Sequence, residues 1–328
     1  MHPAVRAHLA RFALLLAVVA VANFLLPRLL PGSPLAGSGE SSVAFLPETT
    51  QAAIRKGYGL DRPLFEQFLA YITGLLRGDL GRSIVSHRPV AEVIAERLPW
   101  TLLLVGSAVL LGAAAGGMLG TAAALRPHAL GARLSEVLVV GLGALPEFLV
   151  GMALILLLGV SLHLFPVGGA TTPFLSASGV RGWVGATGDL LWHAALPAAT
   201  LIITLAPAFY LLSRNALVAV LGQPYLLTAR GKGLGERRVL WHAWRNALPP
   251  VLTLLGLRLA FAITGAAIVE RIFAYPGIGL LLFEAVARRD YPVMQGVFLV
   301  ASVIILTMNL ALDLLATALD PRTRGVQA

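Results

Sequence analysis

One stretch near the middle of the chain has the residue types of a phosphate-binding loop. Residues 231–235 read Gly-Lys-Gly-Leu-Gly, and glycines beside a lysine can cradle phosphate oxygens. A P-loop also needs a glycine five positions before its Gly-Lys pair, where Leu226 stands, and Ser or Thr after the lysine, where Gly233 stands. A dinucleotide fingerprint needs a strand–helix–strand unit, which this sequence does not predict. We therefore expect no ATP site in this chain.

The remaining reactive residue types form no catalytic or metal-binding pattern. The chain has no cysteine, which excludes disulfides and thiol chemistry. Its seven histidines show no His-x-x-x-His or Glu-x-x-His spacing, so we predict no metal site. No Gly-x-Ser-x-Gly elbow is present, and an intramembrane hydrolase has no sequence support. We predict a protein without catalytic residues and without a cofactor of its own.

The glycines belong to a basic island, residues 225–249, that lies between apolar runs. Against the single acid Glu236, its bases are Arg230, Lys232, Arg237, Arg238 and Arg245. Because three glycines in five positions break a helix, we predict one helix over 224–230 and another from 236 to about 247. A plain basic loop is the alternative, but it would not need apolar residues that stay exposed unless a partner covers them. Those residues are Leu226, Leu227, Leu234, Val239 and Leu240.

The elements that position this island are predicted membrane spans. The chain is 57% hydrophobic and 12% charged, whereas about a quarter of the residues in a soluble protein are charged. This composition indicates a helical protein that crosses the membrane several times. A net charge of +9 could suit nucleic acid, but the bases lie between apolar runs and aromatics are only 7%. We therefore expect membrane lipid, and no nucleic acid, around this chain.

The apolar runs predict an all-α membrane protein with six transmembrane helices in a single domain, residues 1–328. The predicted spans cover about 9–30, 99–125, 137–164, 190–212, 248–269 and 292–319. A cleaved signal peptide is the alternative for the first span, but its length and the lack of a prompt Ala-x-Ala site favour an uncleaved helix.

Basic residues predict the orientation of these spans. They occur near both termini, in the short loop after the second span, and in the loop at 214–247 that holds the island. Outside the island, the bases that indicate this side are Arg6, Arg11, Arg126, Arg133, Arg322 and Arg324. By the positive-inside rule this side is cytoplasmic, which makes the long loop at 31–98 extracytoplasmic. In that loop we predict helices over 47–56, 63–76 and 89–97 and a turn over 78–83.

Three glycines and two charged residues inside the predicted spans need an explanation. Gly112, Gly116 and Gly120 are spaced by four, which predicts close approach of another helix. Glu147 and Arg258 lie within spans, where a charge that faces lipid is unfavourable by several kcal/mol. We expect these two either to pair structurally or to line a transport pathway.

The island and other motifs resemble those of binding-protein-dependent ATP-binding-cassette permeases, most closely the dipeptide/oligopeptide/nickel branch. The loop signature is Thr228-Ala-Arg-Gly-Lys-Gly-Leu234, followed by Arg237-Arg-Val-Leu240 and Arg245-Asn-Ala-Leu-Pro249. Further motifs in order are Leu30-Pro-Gly-Ser-Pro34, Tyr58-Gly-Leu-Asp-Arg-Pro63, Leu76-Arg-Gly-Asp-Leu-Gly-Arg-Ser83, Arg97-Leu-Pro-Trp-Thr101, Val269-Glu-Arg-Ile-Phe-Ala-Tyr-Pro-Gly-Ile-Gly279, Arg289-Asp-Tyr-Pro-Val293 and Asp320-Pro-Arg322. Two positions depart from the family pattern, Gly231 in place of the usual alanine and Ser33 in place of a common aspartate.

The resemblance implies a non-catalytic subunit of a bacterial inner-membrane importer. Its implied partners are a homologous second permease subunit, two cytoplasmic ATP-binding subunits that hold ATP and magnesium, and an extracytoplasmic substrate-binding protein. The loop signature would form a coupling helix that docks on an ATP-binding subunit. The docking residues carried over are Thr228, Ala229, Arg230, Gly231, Lys232, Gly233, Leu234, Arg237 and Arg238.

The resemblance leaves the substrate open. Di- or oligopeptides are expected, with nickel chelates or glutathione-type molecules as alternatives, because the binding protein supplies most of the selectivity. A stand-alone carrier or channel is a different class, and it would need no helical basic island.

Overall fold

The computed structural model describes residues 3–29, 47, 49, 61–172, 183–261 and 266–319. Over these residues the chain forms helices and turns, with one isolated β-bridge between Arg82 and Pro89. In chain order the helices are α1 (Pro3–Leu29), α2 (Leu64–Leu76), α3 (Val90–Leu125), α4 (Leu130–Gly143), α5 (Glu147–Leu154, continued by a π-helical turn, Ile155–Ser161), α6 (Trp183–Leu221), α7 (Pro224–Gly231), α8 (Glu236–Ala260), α9 (Ala267–Ile272), α10 (Ile278–Ala287) and α11 (Tyr291–Leu319).

Four of the described helices are long and apolar enough to cross a membrane, namely α1, α3, α6 and α11. They overlap the first, second, fourth and sixth predicted spans, and the helical class of the protein is confirmed. Helices α4 and α5 become a fifth candidate if the bent pair is one span. Helix α8, which holds most of the predicted fifth span, is not in this set, so six transmembrane helices stay a prediction.

The third predicted span, 137–164, is not one straight helix. Helices α4 and α5 are bent by 101° relative to each other at the break between Gly143 and Glu147. Pro146 has extended torsions, φ −58° and ψ 140°, and stands directly before α5. Since proline cannot donate a backbone hydrogen bond and disfavours helical torsions in the residue before it, the helical path ends here.

At two other places the prediction ends a helix where the structure continues it. The helix predicted over 89–97 and the second span are one helix, α3, which continues through Pro99. The helix predicted to stop at about 247 continues as α8 through Pro249 and Pro250 to Ala260. Membrane helices tolerate such prolines because neighbouring helices and polar side chains supply new hydrogen-bond partners for the freed backbone groups.

The long loop after the first span is partly described. Helix α2 confirms the amphipathic helix predicted over 63–76, and Gly78 and Gly81, with φ +75° and +81°, form the predicted turn. The helix predicted over 47–56 lies outside the described residues, apart from positions 47 and 49.

The chain divides into two compact units, and the first contains residues 1–99 and 277–328. Here α1 packs along α11, and the buried Asn23 side chain donates hydrogen bonds to the Gln295 carbonyl (2.8 Å) and the Tyr71 hydroxyl (3.0 Å). The buried Asp290 carboxylate accepts hydrogen bonds from the Ser83 hydroxyl (2.5 Å) and the Ile84 amide (3.2 Å). These contacts fasten the described part of the long loop to the helices of its own unit.

The second unit contains residues 100–276 and is built around α6. Gly112, Gly116 and Gly120 form the face of α3 that lies against α6. A Cβ atom at Gly116 would meet the Ala206 carbonyl, and one at Gly120 would meet the Tyr210 carbonyl. Only glycine at these two positions allows the backbones to come this close.

We predict that Gly116→Ala and Gly120→Ala each destabilise the protein by about 1–3 kcal/mol, because the new methyl group forces the two helices apart. The thermal midpoint of the purified protein in detergent measures this effect. Gly106→Ala on the same helix is the matched control, since nothing lies within 4 Å of a Cβ there. Equal midpoints for all three variants would contradict the close packing.

Candidate functional site

The basic island folds into two helices joined by a glycine turn, which we call the corner element (residues 224–247). Helix α7 begins at Pro224, where a missing backbone N–H is harmless, and covers the predicted 224–230 plus one residue. It ends in a Schellman motif, in which the Gly233 amide donates to the Arg230 carbonyl (2.9 Å) and the Leu234 amide to the Ala229 carbonyl (3.2 Å). Gly233 has φ +77°, a left-handed conformation that favours glycine.

The corner element is anchored on α3 and α6 of the same chain. The buried side chains of Leu226, Val239 and Ala243 form one apolar cluster with Ala124 of α3 and Leu217 of α6. Burial of this cluster joins both arms of the corner to the ends of two candidate membrane spans.

This anchoring corrects the expectation that five apolar residues of the island are exposed unless a partner covers them. Leu226 and Val239 are fully buried within the chain, while Leu234 and Leu240 are half-buried. Only Leu227, at 66% exposure, stays as expected. The sequence alone could not show that α7 folds back against α8.

A bidentate ion pair links the two arms of the corner. The Arg230 Nη2 and Nε atoms lie 2.8 and 3.2 Å from the two Glu236 carboxylate oxygens. Hydrogen bonds from Arg230 lower the pKa of the Glu236 carboxyl, and those to Glu236 raise the pKa of the Arg230 guanidinium. A second link joins the arms where the Asn246 amide donates to the Tyr225 hydroxyl (2.8 Å). Arg230, a predicted docking residue, thus pairs its charge with Glu236 of the same corner element.

Several predicted docking residues surround one cleft of about 470 Å³, which we call the Thr228 cleft. Its lining consists of Tyr225, Thr228, Ala229, Lys232, Leu234, His242 and Asn246. Thr228 and Lys232 are exposed, and so are the glycines of the corner. His242 and Asn246 were missed as site residues, although their i, i+4 spacing places them on one face of a helix.

Arg237 and Arg238 do not line the Thr228 cleft. They line a separate hollow with Trp241 and Trp244 on the other flank of α8. Of the nine predicted docking residues, four therefore line the Thr228 cleft, two line the second hollow, and three line neither.

The two predicted pathway residues also lie in the second unit. Glu147 is the half-buried first residue of α5, and Arg258 is an exposed residue near the end of α8. The two side chains form no direct ion pair with each other. The side chain of Asp313, a third charge inside a predicted span, lies outside the described residues.

No three His, Asp or Glu side chains among the described residues lie close enough together to hold a metal ion. The site consists instead of a stiff, exposed, basic protein surface attached to membrane helices. Such a surface can bind another protein and transmit its movement.

Comparison with known proteins agrees with this geometry. Residues 116–325 match the family described as binding-protein-dependent transport system inner membrane component. The chain is 37% identical over 313 residues to the glutathione transport system permease protein GsiC of Salmonella paratyphi A (strain ATCC 9150 / SARB42), and the match covers 94% of each chain. The GsiC protein of Escherichia coli (strain K12) is 36% identical over 311 residues, again with 94% of each chain covered.

These matches cover the corner element, the candidate spans and the long loop together. They confirm the resemblance found in the motifs. The chain belongs to the family of binding-protein-dependent inner membrane transport components, as a permease subunit of an ATP-binding-cassette importer.

Proposed function

We propose that the corner element is the coupling element of this permease and docks through the Thr228 cleft on a cytoplasmic ATP-binding partner. The observation that carries the proposal is the exposed pair Thr228 and Lys232, which lies on an element anchored to α3 and α6. A partner that moves this surface moves the ends of the membrane helices with it.

The continuity of α8 supports a mechanical role. This helix runs without a break from Glu236, at the corner, to Ala260. At 1.5 Å per residue, about 33 Å separate Glu236 from Arg258 along the helix axis. A displacement at the Thr228 cleft therefore reaches Arg258 through one continuous helix rather than through a chain of loops.

The partners follow from this role. Two ATP-binding subunits hold ATP and magnesium, a homologous second permease subunit completes the transmembrane pathway, and this chain itself is non-catalytic. The island and both termini face the cytoplasm, and residues 31–98 face the extracytoplasmic binding protein. A stand-alone carrier is disfavoured, because members of this family are components of binding-protein-dependent systems.

For the substrate, we propose small peptides, including glutathione-type tripeptides. Both relatives described above are glutathione transport permeases by name, and glutathione is itself a small peptide. A peptide carries an ammonium group and carboxylate groups at neutral pH. Glu147 and Arg258 offer charges of both signs, and a pathway position gives these otherwise unfavourable charges a function.

The docking proposal predicts a crosslinking pattern. Because the chain has no natural cysteine, Thr228→Cys and Lys232→Cys introduce single reactive thiols. In the assembled importer we expect both to crosslink to an ATP-binding subunit with a short bifunctional reagent, as measured by a band shift on gels. Ser86→Cys, an exposed position in the long loop, is the control and should give no such product. An assembled importer without a crosslink at either test position would exclude the docking surface.

The two glycines of the corner should respond in opposite ways to alanine. Gly231 is helical and has nothing within 4 Å of a Cβ, so Gly231→Ala should stabilise α7 by about 0.5–1 kcal/mol and preserve coupling. Gly233 has φ +77°, so Gly233→Ala should strain the corner by about 1–2 kcal/mol and weaken coupling. ATP hydrolysis stimulated by the loaded binding protein in proteoliposomes measures coupling. Identical stimulation in the two variants would argue against a rigid corner.

The pathway proposal predicts a loss of uptake without a loss of assembly. Glu147→Gln and Arg258→Gln should each slow the uptake of labelled dipeptide and glutathione about tenfold, the equivalent of about 1.4 kcal/mol. Crosslinking from Thr228→Cys should stay intact in both backgrounds. Arg133→Gln, at an exposed base outside the pathway, serves as the control. Normal uptake by both test variants would assign these residues a structural role.

A further inference from the structure

A second surface lies on the flank of α8 that faces away from the Thr228 cleft. It consists of two neighbouring hollows of about 560 and 430 Å³ between α3, α6 and α8. Both hollows are lined by Thr121, Leu125, Leu217 and Trp244, so they form one continuous groove. We call it the Trp groove.

One end of the Trp groove is basic and aromatic. Arg237 and Arg238 line this end, and their side chains form no ion pair within the part of the chain that the structure describes. Trp241 and Trp244 stack at 5.5 Å with an interplanar angle of 18°, and they are 59% and 37% exposed. Arg237, Trp241 and Trp244 follow i, i+4, i+7 spacing and therefore share one face of the helix.

The other end is apolar and uncharged. Its lining includes Ala113, Gly117 and Met118 of α3 together with Leu248 and Val251 of α8. Met118 is 73% exposed in the chain. A ligand that fills the whole groove must therefore combine an anionic or polar head with a hydrocarbon tail.

The position of the groove along two candidate spans supports the same conclusion. Leu125 is the last residue of α3, and Leu217 lies in the last turns of α6, so the basic end lies where two candidate spans end. From Leu125 to Ala113 the groove extends about 18 Å along α3, at 1.5 Å per residue. Half of a hydrocarbon core of about 30 Å is about 15 Å. The groove is thus about as long as one lipid leaflet is deep.

We propose that the Trp groove binds an anionic phospholipid. The phosphate lies against Arg237 and Arg238, the glycerol region against the tryptophan pair, and one acyl chain along the apolar end. Basic pockets at the ends of transmembrane helices bind anionic head groups, and tryptophan rings favour the headgroup level of a bilayer. A free phosphate would leave the apolar half empty. In this proposal Arg237 and Arg238 bind the lipid phosphate, whereas the Thr228 cleft binds the ATP-binding subunit.

Quenching by brominated lipids tests this proposal. The complete importer is reconstituted in phosphatidylcholine vesicles that contain either brominated phosphatidylglycerol or brominated phosphatidylcholine. The fluorescence of the tryptophan pair is obtained by subtracting the signal of the double variant Trp241→Phe/Trp244→Phe. We expect phosphatidylglycerol to quench the pair at a lower mole fraction than phosphatidylcholine.

The arginines should set this preference for the anionic head group. One basic residue near anionic lipid contributes about fivefold, so Arg237→Gln/Arg238→Gln should reduce the preference roughly 25-fold. The matched control is Arg126→Gln/Arg133→Gln, which removes two exposed bases beyond the end of α3 and should keep the preference.

Three results would overturn the proposal. The first is equal quenching by the two brominated lipids, and the second is an unchanged preference in Arg237→Gln/Arg238→Gln. The third is a pair that neither lipid quenches, which would mean that a protein subunit covers the groove. Quenching needs neither ATP nor substrate, so its outcome is independent of the docking and uptake experiments.

Discussion

Direct backbone contact between α3 and α6 is the interaction on which the second unit depends. Lipid supplies no hydrophobic force that drives helices together, so their association rests on close packing. At Gly116 and Gly120 the backbone of α3 lies so near the carbonyls of α6 that no Cβ fits. Because the helices are this close, Ala124 and Leu217 near their ends form one platform.

The corner element packs against that platform. Leu226 from α7 and Val239 from α8 are both fully buried against it, so the two arms cannot move independently of the membrane helices. The Schellman turn at Gly233 and the Arg230–Glu236 ion pair then fix the angle between the arms. A stiff corner on a stiff platform is what mechanical coupling requires, because a flexible joint would absorb the movement of a partner.

Local sequence patterns predicted the features that depend on local physics. The apolar runs gave the helical membrane class, the glycine spacing gave the packing face of α3, and the run at 231–235 gave the corner. The effect of each proline on its helix was harder to predict. Pro146 ends a helical path, whereas Pro99 and Pro249 lie inside continuous helices. A proline removes the same donor in each case, and the surrounding packing decides whether the helix continues.

The burial of Leu226 and Val239 could not be predicted either, since it arises from contacts between segments far apart in the chain. The same limit applied to Arg237 and Arg238. A motif groups them with Thr228 and Lys232 because they are close in sequence, but the continuous helix α8 turns them toward another flank. The directions of these two side chains follow from the 3.6-residue period of α8, but only once the structure shows where that helix begins.

Helix α8 therefore has three surfaces with different surroundings. One is buried on the platform, one borders the Thr228 cleft, and one borders the Trp groove, while Arg258 stands near its far end. A lipid in the groove and a protein at the cleft would act on the same helix. If lipid binding strengthens the docking of the ATP-binding subunit, docking must strengthen lipid binding by the same factor, because the coupling free energy is reciprocal. Anionic lipid would then act as a structural partner of the corner element, and the composition of the membrane would set how firmly a docked ATP-binding subunit is held.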